Sequence, residues 1–148
     1  MTSLRVATAR DLPALRDLLG SAHLPYQDLT VAHLADFLIA ADEYSIHGVV
    51  GLERYGDNAL LRSLAVRPGN QFAGLGTQLA AAAEEHARGA GVATLYLLTT
   101  TAAGFFERRG YDVIARSEAP ATLQKTTEFS SLCPSQAICL RRNLHHQP

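Results

Sequence analysis

Apolar and polar positions alternate at the start of the chain. Leu4, Val6 and Thr8 stand against Arg5, Ala7 and Ala9, and this period of two predicts a short strand. From Asp11 the period lengthens. Leu12, Leu15, Leu18 and Leu19 recur at helical spacing; Asp11 can cap that helix, Pro13 suits its first turn and Gly20 ends the run. Residues 21–30, with Pro25, read as a loop, and a short helix is predicted over 31–36. A β-rich middle follows. Residues 37–41 are a short apolar run closed by Asp42-Glu43, and 46–52 are rich in Val and Ile. Tyr55-Gly56-Asp57-Asn58 is a turn signal, and Leu60, Leu61, Leu64 and Val66 form a strand that stops at Pro68. Residues 74–88 carry the longest helical pattern, on Leu75, Leu79, Ala82, Ala83 and His86, with Gly89 and Gly91 to end it. The Leu75, Leu79 and Ala83 stripe reads as core packing. Residues 92–98 read as a buried strand, Thr99-Thr100-Thr101 as the cap of a helix reaching Arg109, and Gly110 as its stop. Strands are predicted over 111–115 and 136–140, with a short helix near 120–125.

The order is strand, two helices, three strands, helix, strand, helix, two strands. Antiparallel hairpins joined to a βαβ unit imply a mixed α+β fold of αβα layers with a central, mostly antiparallel sheet. At 148 residues, without repeat or linker, 1–148 reads as a single domain.

Composition removes several classes of function. With 47% apolar and 18% charged residues the chain has the balance of a globular protein. A net charge of −1, with no basic run longer than the pairs Arg108-Arg109 and Arg141-Arg142, argues against nucleic acid as partner. No apolar stretch approaches the ~18 residues of a membrane span, and residues 1–5 lack the apolar segment of a secretory signal, so the expected location is the cytoplasm. Cys133 and Cys139 would need a turn between them to form a bridge, and two reduced thiols are the expectation there. Without a matching His pair they make no zinc site; His145-His146 reads as a solvated tail, and no metal is expected.

The segment with chemistry is Leu64-Ala65-Val66-Arg67-Pro68-Gly69-Asn70-Gln71-Phe72-Ala73-Gly74-Leu75-Gly76-Thr77. A strand enters a glycine-bearing loop, which enters a helix. Backbone N–H groups there can form an anion cradle, and the helix start adds donors and a positive dipole end. Gly74 and Gly76 let the backbone approach a phosphate, and Thr77 offers a hydroxyl. No Gly-Lys-Ser/Thr follows, and Leu79 stands where a third glycine of G-x-G-x-x-G would be, so a nucleoside triphosphate or dinucleotide is disfavoured. The glycines could equally make no more than a tight strand-to-helix turn.

Gln71-Phe72-Ala73-Gly74-Leu75-Gly76 resembles the Q/R-x-x-G-x-G/A signature of the GCN5-related N-acetyltransferases, whose loop and helix bind the pyrophosphate of acetyl-CoA. The segment from Ala102 through Phe105-Phe106 to Gly110-Tyr111 resembles that family's A-x-x-F-Y/F-x-x-x-G-F/Y. The resemblance covers essentially the whole chain. It implies the acyl-CoA N-acyltransferase fold and acetyl-CoA as co-substrate. The cofactor residues it implies are Leu64, Ala65, Val66, Gln71, Phe72, Ala73, Gly74, Leu75, Gly76, Thr77 and Phe105. Residues 97–101 and 105–111 are similar to the acetyltransferase domain of N-acetylglutamate synthases, although the N-Y-Q-R-x-S-K ending of those proteins is absent. Residues 128–135, with 48–53 and 61–64, look like the arsenic-resistance N-acetyltransferase subgroup. Both likenesses point to a small amino acid as acceptor, glutamate-like or an arsenical or phosphinic analogue of it.

In such a reaction a neutral amine attacks the thioester, and a carboxylate base assists. Glu53 and Glu128 are the alternative bases; Glu53 could equally be an exposed hairpin charge beside Arg54. A backbone N–H near 64–66 would stabilise the developing oxyanion, provided the strands splay beside Pro68. The family's frequent acid, a tyrosine, is replaced by Phe106, and its frequent Asn by Thr99; Ser130, Ser131, Cys133 or water could substitute. Arg62 could clamp a substrate carboxylate bidentately, against the plainer reading of a surface strand arginine paired with an acidic neighbour. Strict alternation groups it with Leu60, Leu64 and Val66. Tyr26, Asp28 and Ser131 could line the acceptor site; Asp28 or Thr30 could instead cap the second helix. Two other classes stay open: a non-catalytic acyl-CoA-binding module, suggested by Phe106, and a metalloid-binding protein using Cys133 and Cys139. A homodimer is left open, with residues 136–140 as its sheet edge.

Overall fold

Among the described residues, seven runs rich in Leu, Ile and Val form strands: β1 Ser3–Val6, β2 Phe37–Ala41, β3 Ile46–Tyr55, β4 Asn58–Val66, β5 Thr94–Thr99, β6 Asp112–Ile114 and β7 Ile138–Asn143. The α-helices among the same residues are α1 Leu12–Ser21, α2 Leu75–Gly89, α3 Ala103–Arg108 and α4 Ala121–Gln124. The computed structural model describes residues 2–68, 74–126, 129 and 136–144. These group into two compact units, 1–53 with 61–86 and 54–60 with 87–148.

In the first unit β1 pairs antiparallel with β2, and β2 antiparallel with β3. β2 is buried on both faces, which explains its unbroken apolar sequence. Phe37, Ile39 and Ala41 join the core formed by Leu15, Leu18 and Leu19 of α1 and Leu34. A Cβ on Gly51 would lie 2.3 Å from the Phe37 ring, so the glycine makes room for a phenylalanine folded across the strand pair. On Gly48 it would meet Leu79 Cδ1 at 2.7 Å and the Ala65 carbonyl at 3.2 Å. That close approach seats α2 on the strands, and its Leu75, Leu79 and Ala83 are buried as the stripe predicted.

In the second unit the start of β4 pairs parallel with β5, through Asn58 with Thr94, Ala59 with Leu95 and Leu60 with Tyr96. β5 and β6 each pair antiparallel with β7. Leu60, Tyr96, Leu123, Phe129 and Cys139 form this unit's core. Among the described residues this unit's strands are therefore mixed, with a parallel pairing beside antiparallel ones, in keeping with the α+β reading.

Several local expectations change. The Asp11 carboxylate does not cap α1; it accepts from the Thr8 backbone N–H at 2.7 Å and from Arg5 Nη1 at 2.9 Å. Gly20 does not end α1, which runs to Ser21 and closes at His23, whose φ is 59°. Gly20 instead admits the Tyr26 ring, whose Cε1 would lie 3.4 Å from an added Cβ. Residues Val31–Asp36 are 3-10 helix. β7 is an interior strand between β5 and β6, so it offers no edge to a second copy. No helix among the described residues is long and apolar enough to cross a membrane.

Candidate functional site

β4 carries the one polar pair inside its apolar run, Arg62-Ser63. Ser63 has φ 63°, a left-handed residue within a strand, and this breaks the pleat there. Alternation read from sequence therefore cannot be carried past Ser63. Arg62 is buried, with its side chain fully covered, so the surface reading is corrected. Burying a guanidinium is costly unless its donors are met, and all three nitrogens are engaged. Nε donates to Ser63 Oγ at 3.0 Å. Nη1 donates to Asp28 Oδ2 at 2.6 Å and to Glu53 Oε2 at 2.7 Å. Nη2 donates to Asp28 Oδ1 at 2.9 Å and to the Pro25 carbonyl at 3.3 Å.

The cluster joins β3, β4 and the loop after α1. That loop is fixed at further points: Arg16 Nη2 donates to the Leu29 carbonyl at 2.7 Å, and Tyr26 lies over Gly20. Thr30 caps the short 3-10 helix, and its backbone N–H donates to His33 Nδ1 at 3.1 Å. Asp28, read as a possible cap, is used on Arg62. Burial pushes its carboxyl up, but the Arg62 hydrogen bonds and charge outweigh this and hold it below the usual carboxylate range. Glu53 is not an exposed hairpin charge, since its side chain is 11% exposed. Asp28, His33 and Glu53 bring ligand atoms within 4.8 Å of one another, a spacing that would suit a cation, yet Arg62 Nη1 already bridges the two carboxylates. The polar pair in an apolar strand was the available signal for this cluster; the bend at Ser63 and the reach of Asp28 had none.

The strand–loop–helix segment is described at both ends. The parallel register of β4 with β5 ends at Leu60, and β4 continues to Val66. Leu64 and Val66 are half-buried and Ala65 is buried. The Arg67 N–H donates to the His47 carbonyl at 2.7 Å and its Nε to the Ile46 carbonyl at 2.9 Å, which fixes the strand's exit. At the helix end Gly74 has φ 72°, with nothing within 4 Å of an added Cβ, and its carbonyl accepts from the Gln78 N–H at 3.1 Å. Gly74 is thus required by its backbone angle. Gly76 is not: a Cβ there would make an ordinary 3.8 Å contact with Val66. Leu75 is buried and Thr77 exposed. The first N–H groups of α2 have no acceptor within the helix. Open backbone at Gly74 and a helix start beyond it suit an anionic group such as the pyrophosphate of acetyl-CoA. Gln71, Phe72 and Ala73 lie outside the described residues.

In the second unit Phe105 is half-buried, with its ring 5.0 Å from that of Phe106. Phe106 is buried and stacks edge-on against Tyr111, so the position resembling the family's acid is a packing residue. Thr99 Oγ1 accepts from the Ala102 N–H at 2.9 Å, but Ala102 is itself the N-cap of α3 and has no side-chain cap hydrogen bond, so the threonines do not cap this helix, which ends at Arg108. Cys139 is a free, buried cysteine, and burial pushes its thiol up to about 11. A thiol held protonated is a poor metalloid ligand. Glu128, Ser130, Ser131 and Cys133 lie outside the described residues.

The sequence profile of the acetyltransferase (GNAT) domain matches residues 33–113, a span from the 3-10 helix through β6. That is more than half of the chain, and the chain therefore belongs to this family. It is similar to an amino-acid acetyltransferase of Neisseria meningitidis, 28% identical over 148 aligned residues, which cover 95% of this chain and 34% of that protein. Among solved structures it resembles N-acetylglutamate synthase from Neisseria gonorrhoeae complexed with coenzyme A and N-acetyl-glutamate, with TM-score 0.84 and 26% identity over 99% of this chain and 36% of that one. A Mycobacterium tuberculosis protein solved in complex with CoA and NLQ shares the fold, with TM-score 0.79 and 18% identity over 95% of this chain and 98% of that one. This chain thus spans about a third of the length of the curated relatives it matches.

Proposed function

We propose that the chain transfers the acetyl group of acetyl-CoA to the amine of a small acidic amino acid. The observation that carries this is the likeness over nearly the whole chain to an acetyltransferase solved with both coenzyme A and an acetylated amino acid. The backbone of Leu64–Val66 would run along the pantetheine arm, and Gly74, Leu75, Gly76 and Thr77 would receive the pyrophosphate. In the reaction the amine nitrogen bonds to the acetyl carbonyl carbon and the carbon–sulfur bond breaks. The ammonium proton passes to Glu53, directly or through water, and the departing thiolate takes a proton from solvent. No side-chain acid is required, because a thiol of pKa ~8.5 leaves readily. Phe106 is consistent with that, since its ring can give no proton. We favour Glu53 over the alternative base Glu128 because its carboxyl group is fixed in direction while its side chain stays 11% exposed to an incoming amine.

The finer acceptor is a glutamate-like amino acid or its arsenical or phosphinic analogue. The test is acetyl-CoA consumption against a panel of glutamate, aspartate, arsinic and phosphinic amino acids, polyamines and peptide N-termini, with products identified by mass. One strongly preferred amino acid supports the reading. Tight acetyl-CoA binding without product from any amine would leave an acyl-CoA-binding module in its place.

A further inference from the structure

We infer that Arg62 is a positioning residue for the transfer: it aims the Glu53 carboxyl and fixes the acceptor-side loop, and it does not bind the acceptor's carboxylate. The inference rests on the acetyltransferase reading and on Glu53 as base. Three observations carry it. The Arg62 side chain is fully covered. Its Nε, Nη1 and Nη2 are all committed within the protein, to Ser63, Glu53, Asp28 and Pro25. A substrate carboxylate would have to displace one of these partners. The cluster also sets two carboxyl groups against one guanidinium, so it suits an incoming ammonium better than an incoming carboxylate.

The same geometry shows what Arg62 does control. Nη1 bridges Glu53 and Asp28, so the direction of the Glu53 carboxyl is set by a group tied to the loop at Asp28 and Pro25. Nε holds the Ser63 hydroxyl at the left-handed bend that precedes Leu64. One side chain therefore couples the base, the acceptor-side loop and the start of the backbone offered to the thioester. Lysine in its place keeps the charge but not the fork, and cannot hold Asp28, Glu53 and Ser63 together.

The experiment compares wild type with Arg62→Lys and Asp28→Asn, on the preferred amino acid of the panel and on its carboxamide analogues. Each variant is checked for folding by circular dichroism at the assay temperature. Positioning predicts that kcat falls about a hundred-fold in Arg62→Lys, with KM for acetyl-CoA unchanged and the same fold-loss on acid and amide acceptors. In a Glu53→Gln background the effect of Arg62→Lys shrinks, because the two act through one group. A loss confined to carboxylate-bearing acceptors and expressed in KM overturns the inference in favour of a substrate clamp. A lowered melting temperature with unchanged kcat overturns it in favour of a purely structural arginine. Should Arg62→Lys not fold, Asp28→Asn decides by the same criteria, since it opens the clamp while keeping the charge on Arg62. Wild type without turnover on any amine would instead overturn the acetyltransferase reading, and this inference with it.

Discussion

The carboxylate of Asp28 and the guanidinium of Arg62, 34 positions apart in sequence, meet fork to fork, with Nη1–Oδ2 at 2.6 Å and Nη2–Oδ1 at 2.9 Å. Removing one partner of such a buried pair leaves the other charge without compensation. Asp28→Asn should therefore cost about 3 kcal/mol, the lower end for a broken buried pair, because Glu53 remains on Arg62. Urea unfolding measures it; a loss under ~1 kcal/mol would mean that solvent already screens the pair.

The same ion pair sets a pH dependence. The folded-state carboxyl of Asp28 lies below its ordinary value, and so does that of Asp11, held first by its hydrogen bonds from Arg5. Groups with depressed values stabilise the fold above the unfolded value of about 4 and lose that contribution as pH falls through the folded value. Stability should fall on acidification below about pH 4, and the fall should be shallower in Asp28→Asn. Denaturant midpoints across that range give the comparison, and equal slopes would remove Asp28 from the account.

At Ser63 the backbone angle and the side chain pull in opposite directions. Ser63→Gly relieves roughly 1 kcal/mol of left-handed strain and loses a hydrogen bond worth about 1 kcal/mol, so its stability should stay near that of wild type. Ser63→Val keeps the strain, worsens it by β-branching and loses the bond, at a cost of about 2 kcal/mol or more. Thermal unfolding of the two variants separates them; equal stability would place the bend elsewhere.

Gly74 and Gly76 look alike in the sequence motif and differ in the structure. Gly74→Ala forces a side chain onto φ 72° and should raise the KM for acetyl-CoA while costing about 1 kcal/mol. Gly76→Ala meets Val66 at an ordinary 3.8 Å and should leave stability nearly unchanged. Steady-state kinetics beside thermal melts provide the check, and a larger stability loss at Gly76 would contradict it.

A buried thiol pushed up to about 11 is almost wholly protonated at neutral pH. Cys139 should resist alkylation by iodoacetamide at pH 7 in the folded protein and react after unfolding, as read by peptide mass. Rapid labelling in the native state would reopen a thiolate role for it.

Much of the fold was legible because the signals were local. The short apolar run at 37–41, closed by Asp42-Glu43, reads as one of three strands in the middle of the chain, and the turn at Gly56-Asp57 joins the other two. Gly20 misled because a glycine near a helix end has two uses, and its use here, making room for Tyr26, depends on a residue in the following loop. Residues 136–140 suggested an edge, yet whether a strand is flanked on one side or two depends on pairings that sequence distance hides. At the site, Arg62, Asp28, Tyr26 and Glu53 were singled out by type. Their mutual geometry is not readable from sequence, because a left-handed Ser63 breaks the alternation that would group Arg62 with Leu64 and Val66.

The most direct test of the account is product mass from acetyl-CoA and L-glutamate, with wild type and Glu53→Gln assayed side by side. The account predicts N-acetylglutamate from wild type and a rate lower by about a hundred-fold in the variant. Equal rates would remove Glu53 as the base, and no acetylated product from glutamate or any other amine, with acetyl-CoA bound, would contradict the account itself.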